Sequence, residues 1–192
     1  MSQIILASGS PRRKRLLEQV GINCLVKIPN VDEDKVKTKD PIELVKHLAE
    51  IKGNNIELSK GQILISADTV IHFGDQILTK PNNEKEAYQM LSALRGQTHF
   101  VHTGVMIRSL LQQQIFTVKT AVEFWDVSNQ ELAGYIDSGE RRDKAAGYGI
   151  QAKGAFLVKA IKGDYYNVVG LPISTVVQKL KEFNIYPFDS SK

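Results

Sequence analysis

The chain has 192 residues, enough for one domain with a sizeable core, and its 42% hydrophobic and 24% charged residues exclude a disordered chain. Twenty-five Lys and Arg against 21 Asp and Glu give a net charge of +4, which suits a protein that handles anions without saying which. A single cysteine, Cys24, excludes an internal disulfide and a two-cysteine zinc site. No apolar run approaches the roughly 18 residues of a membrane span, so no membrane association is predicted.

The sequence opens on Gln3-Ile4-Ile5-Leu6-Ala7, a buried strand with no basic flank or long apolar stretch before it, so no secretory leader and a cytoplasmic setting are expected. A helix follows, with Ser10 as N-cap, Pro11 at its first position, Leu16, Leu17 and Val20 inward, and Gly21 past its end. Cys24 is expected in an apolar strand as an inert thiol. Asp40-Pro41-Ile42-Glu43 has capping-box spacing and opens a second helix carrying Leu44, Val45, Leu48 and Ile51. Strands are predicted over 63–67 and 70–73, with Gly74-Asp75 turning a hairpin into Ile77-Leu78. Asn83 to Glu86 caps a third helix that ends at Gly96. Long strands around 100–107 and 115–124 come next, then a helix from Ser128 to Ile136. A polar segment from Gly139 to Gly154 leads to a strand near 156–161 and a last helix from Pro172. Alternating helices and strands with intruding hairpins predict an α/β fold: a mixed twisted sheet with helices on its faces.

The densest chemical signal is Leu6-Ala7-Ser8-Gly9-Ser10-Pro11-Arg12-Arg13, a small polar turn between a strand and a helix start. Backbone N–H groups and the helix dipole there favour an anion; Ser8 and Ser10 add hydroxyls, and Arg12 and Arg13 add guanidinium forks that match phosphate. The plainer reading is a cap followed by solvated arginines. Neither G-x-x-x-x-G-K-[ST] nor G-x-G-x-x-G occurs, which removes the two commonest nucleotide-binding loops. Asp68 interrupts the apolar stretch Ser66-Ala67-Asp68-Thr69-Val70, where a carboxylate binds a metal, accepts a proton or caps a turn. Glu33, among Asp32-Glu33-Asp34, is a second candidate acid or else plain surface. Lys52 ends the second helix, where the dipole favours a cation, and Lys80 is held extended by Pro81. The stretch from Gly139 to Gln151 reads as a binding loop or an exposed connection, its length favouring the loop. His99 and His102, three apart on a strand, point to opposite faces and are taken as structural. Aromatics are not interleaved with basic residues, as an RNA platform requires.

Taken in order, these segments resemble the Maf family of nucleoside triphosphate pyrophosphatases. The resemblance is carried by Leu6 to Arg13 with Leu16-Leu17 and Gly21, by Ala67-Asp68-Thr69-Val70 and by Lys80-Pro81. It continues through Met90-Leu91, Leu94, Gly96, His99, Val101, Thr103-Gly104-Val105, Asp143 to Gln151 and Asn167 to Pro172. The one departure is Ala146, where the family commonly has glycine, which bears on local loop geometry. The resemblance implies one such domain over residues 1–192, an inosine triphosphate pyrophosphatase-like fold with two lobes around a cleft, and a homodimer. It also implies hydrolysis of a nucleoside triphosphate to the monophosphate and pyrophosphate. Arg12, Thr69 and Tyr148-Gly149-Ile150-Gln151 look like the dTTP/UTP branch. The implied site has Asp68 as proton acceptor, Lys52 and Lys80 as catalytic cations, and Ser8, Arg12, Arg13, Thr69 and Gln151 on the substrate. Glu33 and Asp68 would hold a divalent cation, Mg²⁺. The alternatives are a 7-methyl-GTP-type pyrophosphatase and a non-catalytic regulator of cell division that binds nucleic acid. Acidic residues within the basic site and the absence of a longer basic stripe count against nucleic acid.

Overall fold

The computed structural model describes residues 3–140 and 144–188. The strands are β1 (Gln3–Ala7), β2 (Leu25–Val26), β3 (Gln62–Phe73), β4 (Gln76–Leu78), β5 (Thr98–Arg108), β6 (Gln113–Phe124) and β7 (Val158–Lys162). The helices are α1 (Pro11–Gln19), α2 (Pro41–Asn54), α3 (Glu84–Leu94), α4 (Asn129–Asp137), α5 (Tyr165–Val169) and α6 (Ile173–Leu180). Among the described residues the strands form one sheet in the order β2-β1-β3-β5-β6-β7, with β4 beside the far end of β3. β1 pairs parallel with β2 and β3, and every other pairing is antiparallel. The expected mixed sheet flanked by helices is what the chain forms. Among the described residues no helix is long and apolar enough to cross a membrane.

Strand alternation on β3 sorts its side chains to two faces. Ile63, Ile65 and Ala67 join a cluster with α1 and α6, through Leu16, Leu17, Val176 and Leu180. Farther along the same face, Ile71 joins a second cluster with α3 and α4, through Leu91, Leu94 and Leu132. Thr69 stands between the two. The opposite face is covered by α2: Leu64 packs with Ala49, and Val70 with Leu44, Val45 and Leu48. α2 lies close because Gly104 of β5 has no side chain; a Cβ there would stand 2.3 Å from the carbonyl oxygen of Val45. Three features differ from the sequence reading. Cys24 precedes β2 instead of lying in an apolar strand and is half-buried, because that two-residue edge strand is itself exposed. β3 runs unbroken through Asp68, where two strands were predicted, because α2 brings a cation to that carboxylate. The short helix α5 is additional, with Asp164 capping it by accepting from the N–H groups of Tyr166 and Asn167.

The capping signals translate unevenly. Asn83 accepts from the Glu86 N–H, and Ser128 with Glu131 forms a complete capping box. Asp40 caps α2 by itself, while Glu43 turns to Lys46. Ser10 occupies the N-cap of α1, but its side chain makes no capping bond. His99 and His102 do point to opposite faces, and both are buried. Burial pushes the pKa of each imidazole down to about 4; for His102 the Lys119 cation and His72 add to this and Asp40 opposes it.

Both histidines are neutral in the fold but protonate near 6.5 once unfolded. The unfolded chain therefore takes up protons first as the pH falls, and stability drains between about 6.5 and about 4. The loss expected is on the order of 3 kcal/mol per histidine. Urea midpoints at pH 7.5 and 4.5 measure it; His102→Leu should flatten part of the dependence, and a pH-independent midpoint would contradict the assignment. Gly104→Ala should separate α2 from the sheet at a cost of about 1–3 kcal/mol, read as a lower melting temperature.

Candidate active site

β1 and β4 pair with the same edge of β3 but leave its middle open. β1 stops at Ala7 opposite Ser66, and β4 pairs from Ile71 onward, so residues 67–70 have no ladder partner on that edge among the described residues. Two polar turns flank the gap. Ser8-Gly9-Ser10 leads from β1 into α1, and Thr79-Lys80-Pro81 leaves β4. Asp68 and Thr69 stand in this gap on opposite faces of the strand.

On the α2 face, Asp68 and Lys52 are each 8% exposed, and Nζ of Lys52 donates to Oδ1 of Asp68. The same ammonium lies 3.1 Å from Oε1 of Glu33, which a 3-10 turn at Glu33–Lys35 presents from the surface. Three residues singled out in the sequence therefore meet at one nitrogen. An unpaired carboxylate at this depth would be costly, and the shared ammonium offsets that cost.

On the other face Arg13 is the organising group. Its Nε donates to the carbonyl of Gly170 at 2.8 Å, Nη1 to the Ser8 hydroxyl at 3.1 Å, and Nη2 to the Thr69 hydroxyl at 3.1 Å. Three of the five guanidinium donors are thus engaged internally. Burial lowers the pKa of Arg13 from its ordinary value, with Asp68 opposing, Arg12 reinforcing and Glu33 opposing, so these four charges share one electrostatic neighbourhood. The guanidinium stays charged throughout the physiological range. Ser8 is buried and also accepts from the Ser10 N–H at 3.2 Å. α1 starts with no side-chain cap and no acid in its first turn, and Arg12, partly buried, stands at that end.

Thr69, expected on the substrate, lies beside Arg13. Its hydroxyl is shared with Arg13, with Thr103 at 2.9 Å and with the Gly170 carbonyl at 3.4 Å. Lys80 and Gln151 are exposed and make no hydrogen bond to Asp68 or Thr69. Lys80 leaves β4 along the open edge of β3, and Gln151 follows Ile150 in a segment that is largely buried up to that point. Residues 144–150 are therefore packed into the molecule rather than forming an exposed connection; Arg141, Arg142 and Asp143 lie outside the described residues. The sequence reading missed Thr103, Asn167 and the Gly170 carbonyl. Thr103 donates to the Asn167 carbonyl at 3.2 Å, and the Asn167 amide donates to the Val101 carbonyl and the Thr120 hydroxyl, both at 3.0 Å. The signal was present in Asn167 to Pro172, a run quoted for resemblance but given no role.

Among the described residues no group of three or more His, Cys, Asp and Glu is placed to hold a metal ion. Glu33 and Asp68 bring two hard oxygen donors to the same ammonium, the donor type that divalent cations take.

The family model for Maf-like proteins matches residues 3–183. A dTTP/UTP pyrophosphatase of Bacillus cereus is 46% identical over 186 residues, covering 96% of this chain and 92% of its own. A dTTP/UTP pyrophosphatase of Bacillus anthracis is 45% identical over 186 residues, covering 96% of this chain and 97% of its own. The solved structure of a HAM1 protein from Coxiella burnetii aligns over 95% of this chain and all of that one at 13% identity, with a TM-score of 0.48. That likeness is distant and supports no functional statement.

Removing the shared ammonium should expose its structural importance. Lys52→Met leaves Asp68 and Glu33 without their common partner and should destabilise the protein by about 3 kcal/mol. Adding Asp68→Asn should restore part of that stability by removing one uncompensated charge. Thermal melts of the single and double variants test this, and a Lys52→Met protein melting with the wild type would contradict it.

Proposed function

The chain belongs to the family of Maf-like proteins, and from that premise we propose that it hydrolyses dTTP and UTP to the nucleoside monophosphate and pyrophosphate. The observation that carries the reading is the Glu33–Lys52–Asp68 group in the open stretch of β3, beside a helix start that carries two arginines. A triphosphate brings about four negative charges near neutral pH, and attack by water requires them to be compensated. The N-terminal donors of α1, the Ser8 hydroxyl, Arg12 and the two remaining donors of Arg13 take phosphate oxygens from one side. Lys80, exposed on the other lip of the gap, meets the polyphosphate from the opposite side.

Asp68 accepts a proton from the water that attacks the α-phosphorus. A bond forms from the water oxygen to phosphorus, the bond from phosphorus to the α–β bridging oxygen breaks, and pyrophosphate leaves with the electron pair. Lys52 holds Oδ1 of Asp68, fixing the carboxylate and leaving its second oxygen to accept from water. Glu33 and Asp68 would hold a divalent cation such as Mg²⁺, which when bound supplies further charge compensation on the polyphosphate. Gln151 both donates and accepts, matching the adjacent carbonyl and N3–H of uracil or thymine. Thr69 serves this reading chiefly through Arg13, whose fork it helps to aim. Residues 1–192 act as one catalytic domain, with a homodimer and a cytoplasmic setting completing the proposal. Two acids at the centre of the site disfavour a nucleic-acid backbone as partner.

Pyrophosphate release from dTTP, UTP, CTP, GTP and 7-methyl-GTP, with and without Mg²⁺, tests the assignment. dTTP and UTP should lead the panel, and a preference for either purine nucleotide would contradict the base reading. Asp68→Asn should lower kcat by roughly 10³-fold with the fold intact. Unchanged turnover in that variant would remove Asp68 from the mechanism.

A further inference from the structure

Three polar contacts, two of them buried, pin the segment 144–151, and the mechanism above uses none of them. Nε2 of His99 lies 2.8 Å from the Tyr148 hydroxyl, the Tyr135 hydroxyl donates to the Gly147 carbonyl at 3.2 Å, and the Ala146 N–H donates to the Thr79 carbonyl at 2.8 Å. Ala146 does this at φ +48°, a left-handed conformation that costs an alanine about 1–2 kcal/mol. Such a conformation persists only where its surroundings over-determine it.

The His99–Tyr148 pair is not what packing alone would select. Both residues are buried, and their rings meet Phe124 edge-on at centroid distances of 4.8 and 4.7 Å. Among the described residues Nδ1 of His99 has no hydrogen-bond partner. Two apolar rings would fill this place without removing polar atoms from water; what the pair adds is direction, since a buried hydrogen bond admits few arrangements. The segment it anchors also bridges two apolar clusters. Tyr148 belongs to the cluster with α3 and α4, Ile150 belongs to the cluster with α1 and α6, and Gln151 emerges immediately afterwards. Through Ala146 the same segment holds Thr79, the residue before Lys80.

We propose that His99 and Tyr148 are positioning residues for pyrimidine recognition, their hydrogen bond fixing the segment that presents Gln151 and steadies Lys80. The inference rests on the pyrimidine nucleotide reading given above. Neither side chain touches the nucleotide; both act through the backbone of 146–151.

Tyr148→Phe deletes one oxygen and keeps the ring contacts. It should raise KM for dTTP and UTP about tenfold, leave kcat within about twofold, and lower the ratio of kcat/KM for UTP over CTP. His99→Phe should lower that ratio to the same degree, and the double variant should lower it no further, as expected of two halves of one contact. His99→Gln, whose amide can still reach the hydroxyl, should recover most of the ratio and serves also if His99→Phe does not fold. An unchanged ratio in Tyr148→Phe, or an equal loss on every nucleotide, would overturn the positioning role. A wild-type protein that releases pyrophosphate from no nucleotide would instead overturn the underlying functional reading, and this inference with it.

Discussion

One ammonium group holds the arrangement together. Lys52 reaches Asp68 and Glu33 at once, and without it a carboxylate could not stand in the interior of a twelve-residue strand. The contact depends on how closely α2 approaches the sheet, and that approach depends on Gly104, which stands opposite Asp68 in the β3–β5 register. Strand, helix and glycine thus form a chain of cause that ends at one carboxylate. The buried charge is tolerated because its compensation is part of the fold.

This group sits where the ladder on one edge of β3 is interrupted. β1 and β4 share that edge and stop short of each other, so residues 67–70 have no ladder partner there among the described residues. A polar layer crosses the sheet at the same level: Thr69, Thr103, Asn167 and Arg13 separate two apolar clusters on one face. These groups satisfy one another's hydrogen bonds, which is what lets them lie between two cores. Arg13 is both a strut and a cation, and its geometry is set by Ser8, Thr69 and the Gly170 carbonyl before any ligand arrives. On the function proposed above, a guanidinium aimed in advance lowers the ordering cost of taking a polyanion.

Much of this was legible in the sequence because the signals were local. The capping pairs at Asn83 and Ser128 and the hairpin at Gly74-Asp75 act over two to four residues, and they formed as read. Asp68 was conspicuous for the same reason, as a single carboxylate in an apolar run. What that reading could not supply was Lys52 arriving from another element, so the strand was expected to break where it continues. Ala146 was noticed only as a departure from a glycine, and it proves to adopt the backbone conformation glycine favours. Thr69 illustrates the opposite limit: its place beside Asp68 was plain, but its partners lie 34, 56 and 101 residues away. His99 was read as structural from strand spacing alone, which could not show that Tyr148 completes a pair with it.

The central claim is that the nucleotide reacts where Lys52 and Asp68 meet in the open stretch of β3. A crystal structure with Mg²⁺ and a non-hydrolysable α,β-imido analogue of dUTP tests it most directly. The account predicts the α-phosphate over residues 67–70, with the Asp68 carboxylate in hydrogen-bond reach of a water in line with the α–β bridge. A nucleotide seated elsewhere, with the Lys52–Asp68 contact untouched by phosphate, metal or water, would contradict it.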